Sequence, residues 1–436
     1  MRNKLELSPS GVFQYYMVCR VVDKQSVPYA PPGEVAGVLC AVGGEGVCRE
    51  VLPYITGGIE GNLERDSGEV DTQLTQKLNQ SSSSSAENSH TEDRTERAGS
   101  PTAAEVFHDT AGWRHLETYM TALQHVVERC GIAFEPHLTS DLLQLVFTCL
   151  SHTNRFVRET GYRVIAAFIS IPGLSTASVS AFWPDITRNL AKGLSDNWSQ
   201  VRMSSSVATR VFLTQLPSLE AREPYFPSLL PPLCLNRHYV AEGVRLYCQE
   251  TWKLVTEMKG VQLVEKYIAQ VVEFYISQTE AANHAVREAA CACIAELGTK
   301  VSPGVLGPHI PDLVKVLLQC FRDDSWLVRD AACLACGNFM SSFPEECRPT
   351  LPQLLPLFFS SLEDSMPSVR QGAASSLATL VSVYGSEVEE KVMSVLRERI
   401  PLAATQPLTD SRHPGLDPRP AVFGVVQRLN DIPLDD

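Results

Sequence analysis

Apolar residues recur along this chain at three- and four-residue intervals, separated by short polar breaks. In the clearest stretch, Val328, Ala331, Ala332, Ala335, Cys336 and Phe339 stand at i, i+3, i+4, i+7, i+8 and i+11. That spacing paints one face of an α-helix. Asp323-Asp324-Ser325 precedes it as a polar turn with capping residues. The same design predicts helices over 139–151, 154–170, 184–194, 199–215, 225–234, 240–257, 261–277, 283–298, 310–321, 326–341, 350–362, 367–383 and 386–399. Proline or glycine marks most joins, including Pro172-Gly173, Pro217, Pro303-Gly304, Pro344 and Gly385. No segment alternates with a strand's period of two. The chain is all-α.

The ends and one internal stretch break the pattern. Val12 to Val22 is compatible with a helix closed off by Pro28, Pro31, Pro32 and Gly33. Residues 35–56 predict a helix weakened by Gly43, Gly44 and Gly46. Residues 58–103 are Ser-rich and acidic, too poor in apolar surface to offset their ordering entropy, and predict disorder. A helix resumes at Trp113 and runs to about Cys130. The expected organisation is an N-terminal segment with a first-repeat helix (1–57), a disordered insertion (58–103), a helical array (104–400) and a Pro-rich tail (401–436). After Gly385 an eighth helix pair begins and is not completed.

Aligning the second helix of each pair exposes a repeat. Arg114, Arg158, Arg202, Arg245, Arg287, Arg329 and Arg370 follow one another at intervals of 41 to 44 residues, all but the first directly after valine. Small residues stand at the third and fourth positions after that valine at 160/161, 204/205, 289/290, 331/332 and 372/373, where they let neighbouring helices approach. Tyr247/Cys248 is the exception, so a local widening is expected there. A period of this length with two helices per unit is that of a helical solenoid.

On these residues the chain resembles the HEAT-repeat family, whose motif sets an aspartate in the turn and Val-Arg near the start of the second helix. Asp196, Asp324 and Asp364 match the acidic position; Asn154, Asn236 and Asn283 take it in other repeats. The resemblance implies a HEAT/armadillo-type right-handed α-solenoid of about seven repeats. In such an array each arginine bridges its own turn and that of a neighbour. We read the row as this structural ladder in preference to a row of contacts for an acidic partner.

Composition narrows the function. A formal net charge of −13 argues against general affinity for nucleic acid or anionic membrane. Thirteen scattered cysteines suit a reducing compartment. The residues after Met1 do not form a secretory signal, and no apolar run is long enough to span a membrane. Cys333-x-x-Cys336 lacks the second ligand pair a zinc site needs, and fits a helix core better. No phosphate-binding glycine loop ends in lysine. Helical-repeat hydroxylases bind iron through His-Glu pairs, and no histidine here is followed by glutamate. Trp198 and Trp326, each just ahead of a Val-Arg, are candidate partner anchors, weighed against packing over the turn.

The sequence therefore predicts a non-enzymatic scaffold or adaptor, cytoplasmic or nuclear, without cofactor. It would hold other proteins, basic segments among them, with no nucleic acid or membrane partner. A karyopherin-like transport receptor and a metal-dependent helical-repeat enzyme are the alternatives.

Overall fold

The computed structural model describes residues 45–64, 113–174 and 180–405. The segment around Val12 to Val22, most of the expected insertion and the tail beyond Thr405 lie outside the described residues. Within them every regular element is a helix. The chain divides into two compact units, Met1–Pro217 and Ser218–Asp436.

In the first unit, α1 covers 45–64, followed by α2 (Trp113–Cys130), α3 (Ser140–Cys149), α4 (Arg155–Ile169), α5 (Trp183–Leu194) and α6 (Ser199–Gln215). Helix α1 buries Cys48, Val51, Ile55 and Ile59, one face at helical spacing. It passes so close to α2 that a Cβ on Gly58 would come 2.4 Å from the Tyr119 ring. Helix α1 runs through residue 64, so it takes in the first seven residues, 58–64, of the expected insertion. The glycines at 57, 58 and 61 suggest a linker, yet Gly58 is what allows the close crossing. Helices α2, α4 and α6 stack side by side, while α3 and α5 lie against them as the first helices of their pairs. Gly161 and Gly193 sit at crowded crossings, where an added Cβ would meet Leu150 at 2.6 Å and Tyr162 at 2.2 Å.

In the second unit, α7 (Phe226–Asn236) and α8 (Glu242–Thr256) form one pair, then α9 (Ile268–Gln278) and α10 (His284–Lys300), α11 (Ile310–Cys320) and α12 (Trp326–Ser342), and α13 (Leu351–Ser361) and α14 (Pro367–Tyr384). Helix α15 (Ser386–Thr405) packs on α14. It continues through Pro401, where the Pro-rich tail was expected to begin. Helices α7 and α13 likewise carry Pro231, Pro232 and Pro356 internally. A proline removes one helix donor and strains one turn, and tertiary contacts offset that cost in a packed helix.

The second helices α10, α12 and α14 pack face to face. Their shared interior is closed by buried Ala289, Ala290, Ala332, Ala335, Ala373 and Ala374, with Phe339 between layers. Helix α8 departs from this stack and packs chiefly on α7, while α10 leans on both α7 and α12. This is the widening that Tyr247/Cys248 predicts: bulkier side chains stand where the other repeats have small ones.

A candidate protein-binding surface

The turns between paired helices are built alike. Asp196, Asp323 and Asp364 each accept a hydrogen bond from the backbone N–H two residues on, at 2.9, 2.8 and 2.9 Å, fixing the start of the second helix. Six residues later comes the arginine: Arg202, Arg329 or Arg370. Arg329 and Arg370 each donate through Nη1 to the two carbonyls at the start of their own turn. Arg202, 1 % exposed, donates to the carbonyls of Asp196 and Leu194.

Three arginines also reach the aspartate of the following repeat. Arg158 makes two parallel bonds to Asp196 at 2.8 and 3.0 Å, Arg287 to Asp323 at 2.6 and 2.8 Å, and Arg329 to Asp364 at 2.6 and 2.9 Å. Burial alone would raise the Asp323 and Asp364 carboxyls. The bonds from Arg287 and Arg329, with the capping N–H groups, outweigh it and hold both below the usual aspartate range. The acidic residue of the α11–α12 turn is thus Asp323. Asp324, the residue expected there, is exposed and gives only its carbonyl to Arg329.

The asparagine repeats are built differently from the expectation. Counting six residues back from the arginine gives His152 and Ala281. Asn154 and Asn283 stand two residues later, and cap Phe156 and Ala285. His152 takes the aspartate's part, its Nδ1 accepting from the Asn154 N–H at 2.9 Å. Asn236 is not in a turn at all; it is the fully buried last residue of α7.

Two arginines of the series stand apart. Arg245 is partly exposed and lies 3.9 Å from Glu242 on its own helix. In that repeat the turn is joined to the next one by Asn283, which donates to the Tyr239 hydroxyl at 3.4 Å. Arg114 is exposed and covers the Trp113 ring at 5.2 Å. It heads a column along the N-termini of α2, α4 and α6. Trp113 stacks on Phe156 at 5.1 Å, and the Arg155 guanidinium lies 4.8 Å from the Phe156 ring and 4.1 Å from Trp198. Trp198 therefore has an intramolecular partner although it is 37 % exposed. Trp326, at the head of α12, is 36 % exposed.

A second polar node holds α7 to α10. Arg237 donates to both oxygens of Glu296, at 3.3 and 2.6 Å, and lies 4.6 Å over the Trp252 ring of α8. His238 Nε2 is 3.1 Å from the same carboxylate. Trp252 in turn fits against Gly260, where a Cβ would come within 2.6 Å. Between them Glu257 and Met258 both adopt left-handed backbone, φ 50° and 63°, a conformation that costs energy for residues with a Cβ. Arg222 steadies this turn by donating to the Val255 carbonyl and the Glu257 carboxylate. Beside it Leu246, Leu254, Met258 and Val261 are exposed; Met258 reaches 80 %.

The first unit carries a groove of about 430 Å³ on its second-helix face. One wall is Met203, Val207 and Val211 of α6, at i, i+4 and i+8; Ser204 lies beside them. Its middle is Ala166 and Ala167 of α4 and Ser170 at that helix's C-cap, small side chains that leave the space empty, with Arg163 a turn earlier. Gln124 and Glu128 of α2 form the opposite wall. Nothing in the sequence announced it, because a groove of this kind is made by what alanine and serine lack. Among the described residues no group of three His, Cys, Asp or Glu side chains is arranged to hold a metal ion, and no helix is long and apolar enough to cross a membrane.

Stacked helix pairs tied by arginine–aspartate turns define a helical-repeat protein. Residues 284–339 match the family model of a HEAT-like repeat and residues 354–384 that of a HEAT repeat. On those residues the chain carries HEAT repeats. It is 22 % identical over 337 residues to dynein axonemal assembly factor 5 of Xenopus laevis, covering 68 % of this chain and 40 % of that one. It is 20 % identical over 307 residues to the eIF-2-alpha kinase activator GCN1 of Saccharomyces cerevisiae, covering 64 % of this chain and 11 % of that one. The chain thus spans less than half the length of either relative. Among solved structures, an importin beta is 13 % identical with a TM-score of 0.38, covering 91 % of this chain and 44 % of that one.

Proposed function

We propose that this chain is a non-enzymatic adaptor that holds other proteins against its second-helix face, in the cytoplasm or nucleus. The groove across α2, α4 and α6 is the observation that carries this reading. Its volume lies within the range of ligand-binding sites, its lining is mainly apolar, and a few polar groups stand at its edges. The exposed apolar side chains around Met258 offer further contact area in the second unit. The names of the frog and yeast relatives, an assembly factor and a kinase activator, describe action on other proteins.

Quantitative mass spectrometry of proteins recovered with the tagged full chain tests the proposal, with Val207→Glu as comparison. Val207 is half-buried on the groove wall, so the added carboxylate fills the site without entering the core. Partners recovered with the wild type and lost with a folded Val207→Glu chain are the expected result. Identical recovery with both chains would remove the groove as the binding surface.

A further inference from the structure

The groove between α2, α4 and α6 is asymmetric in charge, and that asymmetry specifies a ligand. Resting on the adaptor reading above, we infer that it receives an amphipathic helix bearing an apolar stripe with lysine or arginine at one end.

The apolar requirement follows from the walls. Met203, Val207 and Val211 form a stripe along two turns of α6, all half-buried. Ala166 and Ala167, adjacent on one turn of α4, line the same space. That α6 wall, two turns long, suits side chains presented at i, i+4 and i+8 by an incoming helix. Such helix-in-groove recognition draws its affinity from apolar side chains entering spaces that small residues leave open.

The basic requirement follows from the charges at the edge. Two charged side chains line the groove, Glu128 and Arg163. Arg163 is already paired with Glu159 one turn back on α4, so its charge is answered from within the helix. Glu128 accepts a hydrogen bond from Gln124, a neutral amide, at 2.8 Å, and its second oxygen lies 3.6 Å from His125 Nδ1. The amide satisfies one oxygen without cancelling the charge. Glu128 also stands two residues from the end of α2, and Ser170 is the C-cap of α4. Helix C-termini carry partial negative charge from their unpaired carbonyls. Glu128 and the helix ends therefore put negative charge at one edge of a mainly apolar groove, with Arg129 of the same turn outside its lining, and a lysine or arginine of the ligand would meet it.

Fluorescence anisotropy with three synthetic 14-residue peptides tests this on the full chain. One carries leucines at i, i+4 and i+8 with two terminal lysines, the second has glutamates for the lysines, and the third has serines for the leucines. The lysine–leucine peptide should bind at least about tenfold more tightly than either counterpart, with the charge-dependent part weakening as salt rises. Glu128→Lys should reverse the preference, so that the glutamate peptide binds better. Glu128 is exposed, so this substitution leaves the core intact, and an unchanged denaturation midpoint would establish that. Equal binding of the lysine and glutamate peptides, no binding of any peptide, or an unreversed preference in Glu128→Lys would each overturn the inference. If Val207→Glu nevertheless loses cellular partners, the adaptor reading stands and only the ligand chemistry falls.

Discussion

Arg329 and Asp364, thirty-five residues apart, meet through two parallel hydrogen bonds of 2.6 and 2.9 Å. The same guanidinium donates to the carbonyls of Asp323 and Asp324 at 2.8 and 3.2 Å. One side chain thus fixes the turn it springs from and the turn of the next repeat.

Removing it should therefore be costly. Arg329→Ala leaves the Asp364 carboxylate, 11 % exposed, without its bidentate donor, and should lower stability by about 1–3 kcal/mol. Arg329→Lys should recover only part of this, because an ammonium cannot match the planar fork. Arg188, whose side chain is 75 % exposed and paired only within α5, is the control. Its alanine variant should stay within about 0.5 kcal/mol of the wild type in urea denaturation. Equal loss in the two alanine variants would refute the bridging role.

The Arg237–Glu296 node gives a pH signature. Burial alone pushes the Glu296 carboxyl up, but the hydrogen bond from His238 and the charges of Arg237 and His238 outweigh it and hold it at about 2. A carboxyl depressed in the folded state stabilises above its unfolded value, here near 4.5, and that stabilisation is lost as pH falls towards about 2. At pH 7, Glu296→Gln should be less stable by about 1–3 kcal/mol, the range for a charged partner lost from a partly buried pair. Between about pH 4.5 and 2 the gap between variant and wild type should narrow. A gap that stays constant across that range would show that the node contributes through packing alone.

Two glycines in helices should respond in opposite directions to alanine. At Gly193 of α5 a Cβ would come 2.2 Å from the ring of buried Tyr162, whose hydroxyl is held by the Asn189 carbonyl. Gly193→Ala should destabilise by about 1–3 kcal/mol, as overpacking does. Gly61 of α1 has no atom within 4 Å of its Cβ position. Gly61→Ala should stabilise by about 0.5–1 kcal/mol through lost unfolded-state freedom. Thermal melting of both variants checks the pair.

Thiol labelling should be governed by access. Burial pushes the thiols of Cys149, Cys333 and Cys347 up to about 12. Cys130, partly exposed, should label first among the described cysteines under native conditions. Cys320 separates the two causes: a hydrogen bond from Cys291 lowers its pKa, yet it is only 4 % exposed. Peptide mapping after brief maleimide exposure should find Cys320 as slow as Cys333. Fast labelling of Cys320 would mean that acidity outweighs burial.

The helices and the period of the array were legible because both are local. Val-Arg at near-constant spacing marks each second helix after α2, and Tyr247/Cys248 marked the one that leaves the stack. Legibility failed where equivalence depends on three-dimensional alignment. Asp323 and Asp324 are adjacent, and only the count to Arg329 separates cap from bystander. Asparagine and aspartate both cap helices, so Asn154 hid the fact that His152 holds the equivalent place. Arg237 and Glu296 are 59 residues apart and outside the repeat's own spacing, so no motif joins them. The groove is less legible still, since Ala166 and Ala167 read as ordinary helix formers. Their effect depends on which helices flank them.

The arginine contacts also bear on how the array forms. Carbonyl contacts five or six residues back need only one turn and the start of one helix. The carboxylate contacts of Arg158, Arg287 and Arg329 span 38, 36 and 35 residues, a single neighbouring repeat. Folding can thus advance repeat by repeat, each arginine first ordering its own turn and then receiving the next, without closing a long loop. A break at one arginine would then act as a fault line, with helices on either side retaining structure while cooperativity between them falls.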